Sequence, residues 1–200
     1  MLKMKVHLPF YLPYLTPINL NWFLYISLLF HKEFGLILLY YFTIYKYRKI
    51  VNINNLKNTI EDIISSQKTT SQKQQAICDF LENEISYYDW VGFYFKNGDK
   101  EELKLAEFTG EPTEHTIIPF GKGICGQVAV SNENFIVQDV ADQDNYISCG
   151  WKVKSEIVIP IFVNDENIGQ IDIDSHTVNP FNPEDEELLE FVCAKIATLY

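Results

Sequence analysis

The chain is 200 residues long, and its 47% hydrophobic content is sufficient for one packed domain of ordinary size. It carries 27 acidic and 16 basic residues, and residues 1–50 hold only one of the acids, so residues 51–200 are strongly acidic. Because so acidic a domain repels phosphates and shows no basic patch, we exclude nucleic-acid binding.

Residues 1–50 form an apolar, aromatic segment unlike the rest of the chain. Charged residues divide it into two stretches, each shorter than the roughly 20 residues that span a bilayer. Residues 18–45 together would be long enough, although the charges in the middle would make insertion costly. We expect either a membrane anchor or a start codon assigned too far upstream. In both cases one domain is predicted over residues 51–200.

The first part of that domain is predicted to contain two helices and then three strands. Apolar spacing suited to a helix occurs over residues 53–66 and 72–86. Aromatic and β-branched residues predict strands at 90–95, 101–108 and 116–120.

The second part begins with a glycine-rich turn that leads into a helix ending near residue 132, followed by a strand at 134–140. A hairpin is predicted from 155–163 and 168–176, and a last helix begins at Pro183 with Asn182 as its N-cap. Hairpin-linked strands indicate an α+β fold, with a mostly antiparallel central sheet on which N- and C-terminal helices pack.

The spacings of Cys78, Cys125, Cys149 and Cys193 match no zinc ribbon or CxxC pattern. The apolar stretch starts too late and runs too long for a cleavable signal peptide of the usual form, so reduced thiols in a cytoplasmic protein are expected, with a possible membrane tether through residues 1–50. Cys78 and Cys193 occupy apolar positions of predicted helices, so we expect them to be buried. Cys149 lies in a polar loop, where a thiol is either incidental or reactive.

Cys125 belongs to the glycine-rich stretch PFGKGICG. This stretch lacks the Lys-Ser/Thr pair of a P-loop, which disfavours nucleotide binding. Cys125 falls at the start of a predicted helix, where unpaired N–H groups and the helix dipole favour a thiolate. The alternative is a small buried residue in a tight turn.

The strand sequence IDID places Asp172 and Asp174 on one face of the sheet, and Glu156 begins the partner strand of the hairpin. Three neighbouring carboxylates repel one another unless a cation lies among them. No histidine is placed to complete a metal site, so we expect no metal and regard an ammonium group as the simpler ligand. The alternative is an ordinary solvated strand face.

The strand DWVGFYF places Trp90 and Tyr94 on the same face. Two aromatic rings on one face could enclose a small apolar group. The alternative is simple aromatic packing beneath a helix.

Taken together, the run GKGICGQVAV…QDVADQDNYISC…SEIVIPI…IGQIDIDS resembles the GAF-domain free methionine-(R)-sulfoxide reductases over about residues 87–195. The resemblance implies a GAF fold and the thiol-dependent reduction of free L-methionine-(R)-sulfoxide. It implies that Cys149 attacks the sulfoxide, that Cys125 takes part in disulfide recycling, and that no cofactor is bound because a thioredoxin-type dithiol supplies the electrons. The residues implied to line the substrate pocket are Trp90, Tyr94, Glu156, Asp172 and Asp174.

The sequence departs from this family at two places. His115 stands where a third cysteine commonly resolves the catalytic one, and DNYISCGW replaces the usual GHIAC pattern. On this basis Cys125 is expected to resolve Cys149, with Glu156 as the acid that protonates the leaving oxygen. The alternatives are a non-catalytic GAF sensor of small molecules and a dimerisation module, with a homodimer formed through the helices at 53–66 and 183–199.

Overall fold

A computed structural model describes residues 53–143 and 152–200. The apolar segment 1–50 and the loop that contains Cys149 lie outside the described residues, so the anchor and start-site hypotheses remain predictions. Within the two described ranges, no helix is both long enough and apolar enough to cross a membrane.

Four helices are described. Helix α1 spans residues 53–65, α2 is Thr70–Glu84, α3 is Gly123–Ser131 and α4 is Pro183–Ala197. The predicted cap of α4 is confirmed, because the Asn182 side chain accepts a hydrogen bond from the Glu184 backbone N–H and Asp185 completes a capping box.

The six strands form one sheet in the order β3-β2-β1-β6-β5-β4. Every pairing between them is antiparallel, which confirms the α+β prediction. The turn between β5 and β6 consists of Asn164 and Asp165, both with positive φ, as a type I′ hairpin turn requires. The strands are β1 (Trp90–Lys96), β2 (Glu102–Thr109), β3 (Ile117–Pro119), β4 (Phe135–Val137), β5 (Ser155–Val163) and β6 (Glu166–Ser175).

Two apolar cores lie on opposite faces of the sheet. The larger one joins α1, α2 and α4 to alternate strand residues such as Phe93, Ile157 and Ile171. The smaller one joins α3 to residues of the other face, including Trp90 and Tyr94. Because strand side chains alternate between the two faces, the isoleucines of IDID enter the larger core and the aspartates face α3.

Three predicted elements have wrong boundaries. Strand β6 begins at Glu166, two residues earlier than predicted, because the turn before it has only two residues. Helix α2 begins two residues earlier than predicted, because the Thr69 side chain caps it and Gln72 completes a capping box. The strand predicted over 134–140 is confined to Phe135–Val137, and a 3₁₀ helix follows at Val140–Asp142, where the Asp139 side chain accepts a hydrogen bond from the Ala141 N–H. The Asp139 side chain competes locally with the strand pattern, whereas Thr69 and Gln72 supply hydrogen bonds that the start of a helix needs.

Candidate functional site

Three carboxylates converge on the sheet face that α3 covers. Asp174 lies opposite Trp90 on β1 and opposite Glu156 on β5, and Asp172 lies opposite Gly92 on β1. Cβ atoms of directly opposite residues are about 4.5–5.5 Å apart, so Asp174 and Glu156 are nearest neighbours. The register of three strands therefore brings together the carboxylates that the sequence predicted to share a face.

These carboxylates are buried. Only 2% of Glu156, 1% of Asp172 and 3% of Asp174 is exposed, so the alternative of a solvated strand face is wrong. Among the described residues, Oδ1 of Asp172 and Oδ1 of Asp174 are buried with no hydrogen-bond partner. Buried polar atoms of this kind are uncommon and often mark a place where a ligand or water binds.

Trp90 and Tyr94 form the aromatic side of the site. Their ring centroids are 6.2 Å apart, and Trp90 also stacks on Phe108 with centroids 5.6 Å apart. The Tyr94 hydroxyl donates a hydrogen bond of 2.9 Å to the carbonyl oxygen of His115. The two rings belong to the smaller core and also border the cavity described next, and their role in enclosing a small apolar group remains a prediction.

A small cavity lies between the aromatic rings and the carboxylates, lined by Trp90, Tyr94, Thr113, Asp172 and Asp174. Its volume is about 10 Å³, which is close to the space that one water molecule needs. A ligand of amino-acid size therefore needs more room than the described side chains leave.

The GKGICG turn holds Cys125 against the carboxylates. Gly121 and Gly123 both adopt positive φ, which explains why glycine occupies these two positions. A Cβ at Gly126 would come within 2.6 Å of the Pro119 carbonyl oxygen, so this position also requires glycine. Helix α3 begins within this tight turn, and Cys125 lies in the first turn of the helix, as predicted. Its buried Sγ donates a hydrogen bond of 3.2 Å to Oδ2 of Asp172. This contact engages the Cys125 sulfur with the carboxylate cluster, and the expected thiolate remains a prediction.

Burial and mutual repulsion favour protonation of the carboxylates. Desolvation, followed by the charges of Asp172 and Asp174, raises the pKa of Glu156 well above its usual value. Desolvation, followed by the charges of Asp172 and Asp89, does the same to the pKa of Asp174. Desolvation raises the pKa of Asp172 to about 7, against a lowering effect of the Cys125 hydrogen bond. The group can therefore hold protons near neutral pH and can also act as an acid.

A larger surface groove, of about 460 Å³, lies against β5 and α4, and is lined by Asn132, Ile159, Phe162, Glu190 and Cys193 among others. None of its described lining residues borders the aromatic cavity. The thiol of Cys193 is turned into the larger core, where Sγ donates a hydrogen bond of 3.5 Å to the Ile159 carbonyl oxygen. We therefore place the candidate site at the carboxylate cluster.

The remaining predicted residues have different outcomes. Cys149, the expected nucleophile, lies outside the described residues, and its role remains a prediction. Cys78 and Cys193 are buried in the larger core, as predicted. Nδ1 of His176 lies 3.1 Å from Oδ1 of Asp89, and the Asp89 backbone N–H donates a hydrogen bond to the carbonyl oxygen of Asp174.

The family model of the GAF domain matches residues 68–199. The chain belongs to the GAF domain family. The match includes every described element from the first turns of α2 to the end of α4. The six-stranded antiparallel sheet with flanking helices is the fold of this family, so the predicted fold is confirmed.

Several relatives of this GAF domain carry informative names. The chain is 33% identical to GAF domain-containing protein A of Dictyostelium discoideum, over 68% of this chain and 84% of that protein. It is 41% identical to the free methionine-R-sulfoxide reductase of Saccharomyces cerevisiae, over 51% of this chain and 57% of that protein. A solved structure of the free methionine-R-sulfoxide reductase of Neisseria meningitidis in complex with its substrate is also similar. It covers 76% of this chain and 89% of its own, with 28% identity and a TM-score of 0.71.

Sequence reasoning missed two residues at the GAF site and one buried polar residue on the same face of the sheet. Thr113 borders the cavity from the loop between β2 and β3, and no local pattern indicates this. Gly92 lies beneath the Trp90 ring, and a glycine within a strand was the available signal. Gln170 is fully buried on the same face of β6 as Asp172, with neither amide atom hydrogen-bonded within the described residues. Its position two residues before Asp172 could have placed it on that face.

Proposed function

We propose that this GAF domain reduces free L-methionine-(R)-sulfoxide to methionine, with Cys149 as the nucleophile. The observation that carries the proposal is the set of three buried carboxylates, Glu156, Asp172 and Asp174, beside the rings of Trp90 and Tyr94. The relatives from yeast and Neisseria meningitidis that bear the name of this activity support it.

The two sides of the site suit the two ends of a free amino acid. A substrate ammonium group would neutralise the carboxylates and form charge-assisted hydrogen bonds with unpartnered oxygens such as Oδ1 of Asp172 and Oδ1 of Asp174. The methyl group on the sulfur would lie against the faces of Trp90 and Tyr94. A methionine sulfoxide within a polypeptide has no ammonium group, so this arrangement favours the free amino acid.

The proposed chemistry transfers the sulfoxide oxygen to the protein. The Cys149 thiolate attacks the electrophilic sulfur and forms an S–S bond, while Glu156 protonates the sulfoxide oxygen, so that a hydroxyl group stands on the substrate sulfur. The S–S bond and the bond from that sulfur to the hydroxyl group then break, the hydroxyl group bonds to the Cys149 sulfur, and an electron pair returns to the sulfur of the departing methionine. Burial and the neighbouring aspartates raise the pKa of Glu156, which keeps a proton available for this step. The net result is methionine and a sulfenic acid on Cys149, so the substrate sulfur is reduced and the cysteine is oxidised.

Cys125 is proposed to regenerate the enzyme. Its thiol would condense with the Cys149 sulfenic acid to form a disulfide and one water molecule. A thioredoxin-type dithiol would then reduce the disulfide, and no bound cofactor is needed. Cys125 is the one described thiol on the site face of the sheet, because Cys78 and Cys193 belong to the core on the opposite face.

A ligand sensor without turnover is the second candidate. It is favoured by His115, which occupies the position of the family's usual third cysteine, and by the hydrogen bond that engages the Cys125 thiol with Asp172. A sensor would bind methionine or its sulfoxide through the same carboxylates but would not oxidise Cys149.

One assay separates the two candidates. The full chain is incubated with free L-methionine-(R)-sulfoxide, thioredoxin, thioredoxin reductase and NADPH, and NADPH consumption is followed. We expect continuous turnover with the R epimer, little with the S epimer, and none in Cys149→Ser. Binding of the sulfoxide without NADPH consumption would favour the sensor, and retained methionine release in Cys149→Ser would contradict the assigned nucleophile.

The cellular context of the proposed reaction is also a prediction. A cytoplasmic location is expected from the reducing conditions that the thiols require. A homodimer is expected if the helices at 53–66 and 183–199 form a dimer interface. A measurement of molecular mass in solution tests this expectation. Residues 1–50 are expected to be dispensable for catalysis, because each proposed catalytic and binding residue lies after residue 51.

A further inference from the structure

One atom from each of Cys125, Glu156 and Asp172 lies within 4.8 Å of the other two, and all three residues are buried. The thiol and one carboxylate are already in contact, since Cys125 Sγ is 3.2 Å from Oδ2 of Asp172. The sequence suggested too few metal ligands here, because it gave no reason to place a cysteine beside the aspartates. Packing of α3 on the sheet supplies that sulfur ligand.

A second observation points to a positively charged ligand at Asp172 and the position beside it. Oδ1 of Asp172 and Oδ1 of Asp174 are buried without a hydrogen-bond partner among the described residues, and both aspartates border the same small cavity. Acceptor atoms that are buried in this way favour a ligand that carries a positive charge or a hydrogen-bond donor. Asp172 is the residue that the cluster and this cavity of about 10 Å³ share, so a ligand bound there has to be about as small as a bare ion or one water molecule.

The ligand types select the class of cation. Magnesium and calcium prefer six or more oxygen ligands, which three buried side chains cannot supply. Zinc accepts a thiolate together with carboxylate oxygens and is satisfied by four ligands in a tetrahedron. A sulfur ligand also favours the thiophilic members of the divalent series over hard cations.

We propose that Cys125, Glu156 and Asp172 bind a thiophilic divalent cation of the zinc class, and that this cation excludes the ammonium group of the substrate. The first half of the proposal, metal binding, depends only on the arrangement of these residues. The second half, competition with the substrate, rests on the proposed function. On binding, the Cys125 thiol loses its proton to solvent and its sulfur forms a bond to the metal, without any change in oxidation state. The bound cation would therefore inhibit turnover in two ways, by occupying the ammonium site and by holding the resolving thiol.

Cobalt is the probe for the first half. The full chain is treated with a chelator, kept reduced with a phosphine that contains no thiol, and titrated with Co²⁺. We expect a sulfur-to-cobalt charge-transfer band in the near ultraviolet that saturates at one equivalent and disappears when Zn²⁺ is added. Magnesium in large excess should not remove the band.

Variants assign the ligands. Cys125→Ser should abolish the band, Glu156→Gln should weaken cobalt binding, and Cys193→Ser is the matched control that should retain the band. Cys149→Ser should retain it as well. A band that is lost in Cys149→Ser but kept in Cys125→Ser would overturn the assignment, and so would the absence of any saturable band in the unmodified protein.

Competition tests the second half. Free methionine sulfoxide should reduce the band, and N-acetylmethionine sulfoxide, which has no ammonium group, should leave it intact. Zinc should raise the apparent KM, and a chelator should reverse the effect. A cobalt band that free substrate does not displace would refute the shared site. Normal turnover in a protein that binds no cobalt would refute the metal proposal alone and leave the proposed function standing.

Discussion

The indole ring of Trp90 lies across the backbone of Gly92, on the same face of β1. A Cβ at Gly92 would come within 2.2 Å of Cη2 of Trp90, a separation that real side chains do not tolerate. The absence of a side chain at residue 92 thus allows the indole to lie flat over the strand, stacked on Phe108 and bordering the carboxylate cavity.

Replacement of this glycine should displace the indole. Gly92→Ala is expected to lower the free energy of unfolding by roughly 1–3 kcal/mol, as overpacking does, and to raise the KM for free methionine sulfoxide. Denaturant unfolding and steady-state kinetics measure the two effects. In a Trp90→Ala background the same substitution should cost much less, because the clash is absent. An equal cost in both backgrounds would show that the ring does not set the requirement for glycine.

The proposed ammonium contact predicts a selective loss in Asp174→Asn. Loss of a hydrogen bond to a charged group is worth about 1.5–3 kcal/mol, so kcat/KM for free methionine sulfoxide should fall roughly 10- to 150-fold. The N-acetylated substrate carries no ammonium group and should lose much less. A comparable loss with both substrates would argue that Asp174 acts on the sulfoxide or on the structure of the site rather than on the ammonium group.

The proposed resolving role predicts a split between single and multiple turnover in Cys125→Ser. The variant should release one equivalent of methionine per enzyme and then stop in the thioredoxin assay, because no second thiol is available. Cys78→Ser, in the core on the opposite face, is the control and should turn over continuously.

Peptide mapping after substrate oxidation gives a direct check of this role. A Cys125–Cys149 disulfide is expected, and it requires Cα atoms within about 7 Å of each other. Unchanged turnover in Cys125→Ser would mean that an external thiol reduces the sulfenic acid and that Cys125 serves another purpose.

Stability should depend on pH through the buried carboxylates. The pKa of Asp172 is about 7 in the folded protein, compared with 3.8 ordinarily, so the folded state holds this proton more tightly than the unfolded state. The resulting stabilisation is complete below the ordinary pKa and is lost as pH rises through about 7. The pKa shifts of Glu156 and Asp174 have the same direction.

We therefore expect the ligand-free protein to have a lower Tm at about pH 8 than at about pH 5. Asp172→Asn should reduce this difference, mainly by raising the Tm at the higher pH. Asp165→Asn, in the exposed turn between β5 and β6, is the matched control and should not alter the profile. Scanning calorimetry across this range is the measurement, and a Tm that rises with pH in the unmodified protein would contradict the expectation.

Replacement of Gln170 by an apolar residue is predicted to stabilise the folded protein. Its side chain is fully buried, and neither amide atom has a hydrogen-bond partner among the described residues, a situation that costs about 1–3 kcal/mol. Gln170→Met removes the polar atoms and nearly keeps the shape, so the free energy of unfolding should rise by a comparable amount.

A second buried glutamine provides the control for that substitution. Gln74 is 3% exposed, and its Nε2 donates a hydrogen bond of 3.0 Å to the Tyr200 hydroxyl. Gln74→Met should therefore be neutral or destabilising in the same unfolding experiment. A loss of stability in Gln170→Met would indicate that its amide has a partner beyond the described residues, and a change in KM would add it to the substrate site.

Local patterns in the sequence were sufficient to predict the helices and strands and to predict which face of the sheet each strand residue occupies. Alternation in IDID placed Ile171 and Ile173 in the core and both aspartates on the other face, since that alternation is a property of a single extended chain. The cap at Asn182 and the glycines of GKGICG also act within a few residues of their own positions. Such short-range interactions can be read without knowledge of the rest of the fold.

The tertiary structure alone decided what the aspartates face. β1 pairs with both β2 and β6, so residues about 80 positions apart become neighbours, and α3 then closes over their shared face. The same Asp-x-Asp pattern on an uncovered face would be solvated. Here the covering helix removes water from Asp172, raises its pKa and brings the Cys125 thiol within hydrogen-bonding distance. Burial and proximity between distant segments depend on packing of the whole domain, and no local pattern encodes them.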